Sequence, residues 1–294
     1  MKIIDSFMYF DEDLILDIRL NTLNKFVSKF VICEAKFNHN GINKKLNFRE
    51  ENFKKFRDKI DYIVVENQPK NLKIIEENDT ESEKNSKILD NALIRENFQR
   101  NYSFKNIKKF SEEDLVIIND LDEIPNLEKF SYKNKITIFK QKMFYYKLNL
   151  EYPDYTWMGS RICKLKYLKT PQWLKNIKPK SYPIWRADIL FSECKYHDLS
   201  FINQGGWHFT NVKSPEDIDH KMKNFLHHLE YEKSGLNSED LKKIINDKKV
   251  MYDHLADKTN VNKWKSSTSL KKANVSDLPK YISDNLSRFK DWMD

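Results

Sequence analysis

The sequence predicts an α/β protein built on a mostly parallel, doubly wound central sheet with helices on both faces. Two observations carry that reading. Over the first half, short apolar runs ending in a polar or charged residue alternate with stretches of helical periodicity. The 294 residues include only 5 glycines and 8 prolines, which excludes a fibrous or linker-dominated architecture. Hydrophobic residues make up 39% and aromatics 13%, enough for a sizeable core and too much for a disordered chain.

Taken in order, residues 2–9 read as a strand. Asp11 is the expected cap of a helix that buries Leu14, Ile15, Ile18 and Leu23, with acids in its first turn where the dipole favours them. Lys29 to Glu34 and Asp61 to Val65 have the apolar composition of buried strands. Residues 67–86, rich in Asn, Glu and Lys, read as a mobile connection, after which Ile88, Leu89, Ala92, Leu93 and Tyr102 follow helical spacing. Asp114 to Asn119 is an apolar strand that runs into Asp120-Leu121-Asp122-Glu123-Ile124-Pro125. Two further strands fit Lys135–Phe139 and Met143–Leu148. Gly205-Gly206 reads as a turn before a short strand through Thr210. Ser214-Pro215-Glu216-Asp217 is a helix start, and Ile218, Met222, Phe225, Leu226 and Leu229 form that helix's apolar face. A terminal helix after Pro279 carries Ile282, Leu286, Phe289 and Met293. No repeat and no break in composition divides the chain, so the expectation is one domain over 1–294.

Lys plus Arg outnumber Asp plus Glu by 52 to 44, a net charge of +8. Such a surplus attracts nucleic acid, anionic lipid or phosphate-bearing small molecules. The charges are interleaved, however, as in Glu50-Glu51-Asn52-Phe53-Lys54-Lys55, which is the pattern of a mixed solvated surface. Cys33, Cys163 and Cys194 are odd in number and far apart, so neither a disulfide framework nor a zinc knuckle is indicated, and a reducing compartment fits best. The N-terminal apolar run is closed by Asp11-Glu12-Asp13, unlike a secretory signal, and no uncharged apolar stretch reaches the roughly 18 residues of a membrane span. The expected location is the cytoplasm, with peripheral membrane contact left open.

Ligands of doubly wound sheets bind beyond the carboxyl ends of the strands, where Glu34 and Asp120 are placed. Asp120 and Asp122, two carboxylates at i and i+2 after a buried strand, can turn toward one hard cation. Mg²⁺ or Mn²⁺ held there would neutralise charge on a departing nucleoside diphosphate. His208, between Trp207 and Phe209, is either a packed core residue or a further ligand to that ion. Trp207 is either core or a platform for the apolar face of a sugar ring. Arg95 and Arg100 lie on one predicted helix and either reach a diphosphate or pair with Glu96 and other acids. Phe144-Tyr145-Tyr146 with Trp157 would line a carbohydrate groove or simply pack an edge strand. No Gly-rich phosphate loop, Walker motif or Ser-His-Asp order occurs, which counts against the common kinases, ATPases and hydrolases.

Read together, several stretches resemble glycosyltransferase family 17. They are Asp13-Leu14-Ile15-Leu16-Asp17-Ile18-Arg19-Leu20; Phe30-Val31-Ile32-Cys33-Glu34-Ala35 with Gly41 and Leu46; Val116 to Pro125; Gly205-Gly206-Trp207-His208-Phe209; and Lys280-Tyr281-Ile282 to Arg288-Phe289. They occur in family order over nearly the whole chain, while the region 150–204 matches least. The resemblance implies a GT-A-like, Rossmann-type fold, with a nucleotide-sugar-binding half over 1–150 and an acceptor half with a helical tail over 151–294. It implies a UDP-sugar donor, UDP-GlcNAc foremost, a glycan acceptor, and Mn²⁺ or Mg²⁺ at Asp120 and Asp122, to which the residue reading adds His208 as a candidate third ligand. Glu34, Arg95, Arg100 and Asp120 are then candidate donor contacts, and Trp157 and Trp207 candidate acceptor contacts. Inversion at the anomeric carbon needs a general base, for which Asp188 is taken ahead of Asp154. Two rival readings are a metal-dependent nucleotidyltransferase and a non-enzymatic basic module binding glycan or nucleic acid. The lack of any recognisable RNA or DNA motif argues against a nucleic-acid partner.

Overall fold

A computed structural model describes residues 1–254, 264 and 268–294. The chain runs β1 (Ile3–Met8), α1 (Asp13–Leu23), β2 (Lys29–Ala35), a 3-10 segment (Glu50–Lys59), β3 (Ile60–Val65), α2 (Glu81–Tyr102), α3 (Phe104–Ile107) and β4 (Leu115–Asn119). Then come β5 (Glu123–Pro125), β6 (Ile136–Tyr145), β7 (Leu150–Lys164), α4 (Pro171–Asn176), β8 (Leu199–Ile202) and β9 (Gly206–Thr210). The remainder is α5 (Pro215–Asn224), α6 (His228–Ser234), α7 (Ser238–Asn246), β10 (Lys271–Lys272) and α8 (Lys280–Ser283).

These strands form one sheet in the order β3-β2-β1-β4-β7-β6-β9-β5, with β8 beside β6 and β10 beside β7. From β3 to β4 every pairing is parallel. Beyond β4 the sheet is mixed: β7 is antiparallel to β4 and β6, whereas β8 and β9 run parallel to β6. The mostly parallel α/β sheet expected from the sequence is therefore present, with its antiparallel members on the far side of β4.

A strand covered on both faces needs apolar side chains at every position, and β4 shows why its sequence is unbroken Leu-Val-Ile-Ile. Leu115 and Ile117 pack with Ile15, Leu16 and Ile18 of α1 and with Ile282 and Phe289 near the C-terminus. Val116 and Ile118 face the other way, toward Ile107 of α3 and Leu174 of α4. Each fully buried side chain of this kind contributes about 1.5–3 kcal/mol. A third core sets Met143, Tyr145 and Tyr152 against Ile218, Tyr231 and Leu241, holding α5, α6 and α7 over the distal ends of β6 and β7.

Several local expectations are corrected. Asp11 does not cap α1; Glu12 occupies that position without a side-chain cap, and the Asp11 carboxylate instead accepts from Lys213 at 2.5 Å. The connection read over 67–86 ends early, because Thr80 and Glu83 form a reciprocal capping box that starts α2 inside it. The two strands read at 135–139 and 143–148 are one strand, β6, whose register against β7 shifts twice, and β7 itself was not anticipated. The helix begun at Ser214 stops at Asn224, where Phe225 becomes extended, so Leu229 belongs to α6. The terminal helix is only the short α8, followed by a 3-10 turn over Lys290–Trp292, although Ile282 and Phe289 are fully buried as expected. All three cysteines are free. Among the described residues no helix is long and apolar enough to cross a membrane.

Candidate active site

The carboxyl ends of β1, β2 and β4 border a cleft of about 520 Å³, closed on its far side by α5 and by residues near 250. Its floor is the loop Asp120-Leu121-Asp122 that leaves β4, and the chain fixes this loop from below. Arg19 of α1, fully buried, donates from Nη1 to the carbonyl oxygens of Leu121 at 3.0 Å and Glu123 at 2.7 Å. Asp5 of β1 balances its charge, and Asn119 donates to Asp5 at 2.6 Å. The loop is further bound to β9, where the Phe209 amide donates to the Asp122 carbonyl at 2.9 Å. Pairing of β5 with β9 sets Glu123 opposite His208, and this register brings the histidine to the acid loop.

The two acids of that loop have different surroundings. Asp120 is braced by cations on both oxygens: Arg100 Nη1 at 2.6 Å and Lys175 Nζ at 3.0 Å. Burial alone would raise its carboxyl, but Lys175 and Arg100 outweigh this and hold it well below the usual range. Asp122 faces the cleft, with Oδ1 at 3.4 Å from His208 Nε2. Burial opposes its ionisation too, and the neighbouring His208 more than compensates, so Asp122 is an anion at neutral pH. The other ring nitrogen of His208, Nδ1, is buried without a hydrogen-bond partner among the described residues. Trp157 lies against the imidazole, with ring centroids 4.6 Å apart.

Around this floor the walls differ in character. One side carries Glu12, paired with Lys221 at 3.1 Å, beside Asn38 and His39. The opposite side is aromatic: Tyr145, Trp157 and His254, with Tyr145 and His254 sharing a hydrogen bond of 2.7 Å. Burial, with a smaller contribution from His208, pushes the His254 imidazole down to about 4, so it is neutral at physiological pH. A smaller recess of about 290 Å³ between Tyr155, Arg161 and Lys175 adjoins the cleft across Asp120 and Trp157.

The structure thus brings together Asp120, Asp122, His208 and Trp157, with Arg100 behind Asp120, and leaves Glu34, Arg95, Trp207, Asp188 and Asp154 elsewhere. Glu34 is fully buried and lies outside the cleft, accepting from the Asn47 amide at 2.7 Å, the Phe48 amide at 3.1 Å and Tyr62 at 2.8 Å, as well as from Lys44. It latches the loop after β2. Arg95 donates to Gln68 at 2.7 Å and to the His39 carbonyl at 3.2 Å rather than into the cleft. Arg100 stands behind Asp120, and is also paired with Glu96. Trp207 points into the core and donates to the Asp277 carbonyl at 2.6 Å. Asp188 sits in an exposed 3-10 turn, where Arg186 and Lys195 hold its carboxyl at about 2, a weak base outside the cleft. Asp154, the second choice, is exposed in β7.

Three groups escaped the sequence reading. Glu123, with no exposed surface, accepts from Trp157 Nε1 and from Lys175, each at 2.7 Å, and so positions the ring that rests on His208. Lys175 links it to Asp120. The Asp5–Arg19 pair lies beneath both. A signal for the last existed: Asp5 is a charge in the middle of a mostly apolar strand, which requires a buried partner.

Divalent-metal chemistry can be tested against this donor set. Among the described residues no three His, Cys, Asp or Glu side chains converge on one point. An octahedral ion that keeps waters and takes phosphate oxygens needs only one or two protein ligands, and Asp122 with His208, facing each other into the cleft, fits that need. His208 approaches Asp122 through Nε2, while its Nδ1 has no hydrogen-bond partner among the described residues, so no other protein hydrogen bond competes for the ring there.

A crystal structure of the galactosyltransferase LgtC with donor and acceptor sugar analogues is similar over 57% of this chain and 59% of its own, at 14% identity and a TM-score of 0.26. The chain therefore spans under two thirds of that structure, at a score too low to equate the two folds. No curated protein matches. The model of glycosyltransferase family 17 matches residues 1–293, and the chain belongs to that family.

Proposed function

We propose that this glycosyltransferase moves a sugar from a UDP-sugar, UDP-GlcNAc foremost, onto a glycan hydroxyl with inversion, assisted by Mn²⁺ or Mg²⁺. The observation that carries the reading is the pair formed by Asp122 and His208, 3.4 Å apart on the floor of the cleft. These two residues would hold the ion. Bound there, it would supply Lewis-acid neutralisation of the departing diphosphate.

The chain's own groups account for the rest. Arg100 and Lys175 keep Asp120 ionised, and Arg19 fixes the loop's carbonyl groups, so the floor is preorganised before a donor arrives. The polar wall at Glu12 and Asn38 suits a nucleoside, and the neutral aromatic wall at Tyr145 and Trp157 suits an uncharged sugar ring. Trp157 borders both the main cleft and the smaller recess, so its ring lies where donor sugar and acceptor would meet.

The decisive experiment is donor turnover by Asp122→Ala together with a thermal-shift screen of UDP-sugars with and without Mn²⁺. A ligand that binds only the native state raises its melting temperature. The reading expects a Mn²⁺-dependent shift with one UDP-sugar, release of UDP, and loss of both in the variant. Release of pyrophosphate from a nucleoside triphosphate would favour nucleotidyl transfer instead, and unchanged turnover by the variant would reject the metal assignment.

A further inference from the structure

Between α4 and β8 the chain makes a long excursion whose only regular piece is the 3-10 turn Ala187–Ile189. Its largest apolar side chains face water: Ile184 is 75% exposed, Trp185 82%, Leu190 84% and Phe191 89%. Scattered exposed apolar residues are ordinary on a soluble protein, but four of this size within eight positions mark an interaction surface. No other segment among the described residues exposes a Trp or Phe to this degree.

The excursion is tied down at its base. The Lys178 amide donates to the Cys194 carbonyl at 2.8 Å, Trp173 Nε1 donates to the Glu193 carbonyl at 2.8 Å, and Asp188 is paired with Arg186 and Lys195. Those contacts consume polar groups and leave the apolar side chains uncovered. Exposed Lys178 and Lys180 flank them and have no ion-pair partner among the described residues.

We propose that this segment docks the protein on an anionic phospholipid surface. Trp185, Phe191 and Leu190 would enter the region between headgroups and acyl chains, while Lys178 and Lys180 remain at the level of the phosphates. Charge complementarity selects this partner: of four cations and three acids in the segment, Arg186 and Lys195 are held by Asp188 and Asp198 accepts from Asn134 and the Lys135 amide, which leaves Lys178 and Lys180, among the described residues, as unpaired cations beside the apolar patch, on a chain of net charge +8. Membrane interfaces favour this mixture of Trp with Lys. The placement has a consequence for the active site. Lys175 of α4, just before the excursion, reaches Asp120 at 3.0 Å, so the base of the segment adjoins the floor of the cleft. The docking itself does not depend on the sugar-transfer reading.

The test is co-sedimentation of the full chain with vesicles of phosphatidylcholine alone and of phosphatidylcholine mixed with phosphatidylglycerol. Wild type is expected on the mixed vesicles and far less on the neutral ones. Trp185→Ser/Phe191→Ser should lower the partition at least about tenfold, and Lys178→Gln/Lys180→Gln roughly tenfold or more on the mixed vesicles alone. Both variants change exposed side chains, so an unaltered melting temperature and unaltered donor binding are expected and separate this failure from failure of the active-site reading. Equal partition of wild type and the Trp185/Phe191 variant overturns the proposal, as does absence from both vesicle types. So does a lipid-free dimer, seen by sedimentation equilibrium, that this variant dissociates, because a second copy would then be what covers the patch.

Discussion

Arg19 donates to both carboxylate oxygens of Asp5, from Nε at 2.8 Å and from Nη2 at 2.7 Å, with both side chains wholly out of solvent. The third nitrogen, Nη1, is then free to hold the carbonyl groups of the acid loop. Removing the guanidinium leaves Asp5 as an uncompensated buried charge. Arg19→Met is therefore expected to destabilise the protein by about 3–5 kcal/mol in urea unfolding. Arg19→Lys keeps the charge and loses the fork, so it should fold better than Arg19→Met and still bind the Mn²⁺–donor pair more weakly than wild type. Wild-type donor affinity in a folded Arg19→Lys would deny the guanidinium its positioning role.

The two acids of the floor should behave differently. Asp122→Ala removes a carboxylate that faces the cleft and, among the described residues, pairs only with His208, so turnover should fall at least about a hundredfold while the melting temperature changes little. Asp120→Ala removes one of two carboxylates from Arg100, which keeps Glu96, and from Lys175, which keeps Glu123, and should destabilise by about 1–3 kcal/mol as well. Paired kinetic and thermal measurements on the two variants check the contrast.

Stability should fall in acid through His254. Its folded value, about 4, lies below the unfolded value near 6.5. Above about 6.5 both states are neutral and nothing is lost; below it the unfolded chain takes up a proton that the folded chain refuses. The loss grows as pH falls and reaches about 3 kcal/mol near pH 4. Thermal melts should show this slope between about pH 6.5 and 4, and His254→Gln should flatten it.

Gly206 sits at φ +135°, and a Cβ there would lie 2.1 Å from the Ile124 carbonyl oxygen. Gly206→Ala must push β9 away from β5, the pairing that sets His208 opposite Glu123. A loss of about 2–4 kcal/mol is expected, together with weakened Mn²⁺ dependence of donor binding. A variant with wild-type melting and turnover would show that the pairing tolerates displacement.

How much of this was legible beforehand differs by element. β2 and β4 were readable because they are buried on both faces and apolar at nearly every position, and β1 and the partly buried edge strand β3 because short apolar runs survive around Asp5-Ser6 and Asp61. β7 was not, because only part of it is covered: Tyr152 and Ile162 are buried whereas Asp154 and Thr156 are exposed, and no single periodicity survives. The short helices of the second half were read as longer ones because their apolar residues keep helical spacing across breaks such as Phe225, where tertiary packing sets the backbone.

The sequence by itself determined the local facts: an acid pair after a buried strand, a glycine turn before His208, and the order of family segments. Only the tertiary structure decided which of those residues meet. Asp122 and His208 are 86 positions apart in sequence and are joined by the pairing of β5 with β9, while Asp120 is claimed by Arg100 from one helix and Lys175 from another. Side-chain identity states what a residue can do, but burial and register assign its partner, and those depend on contacts between segments that no local pattern encodes.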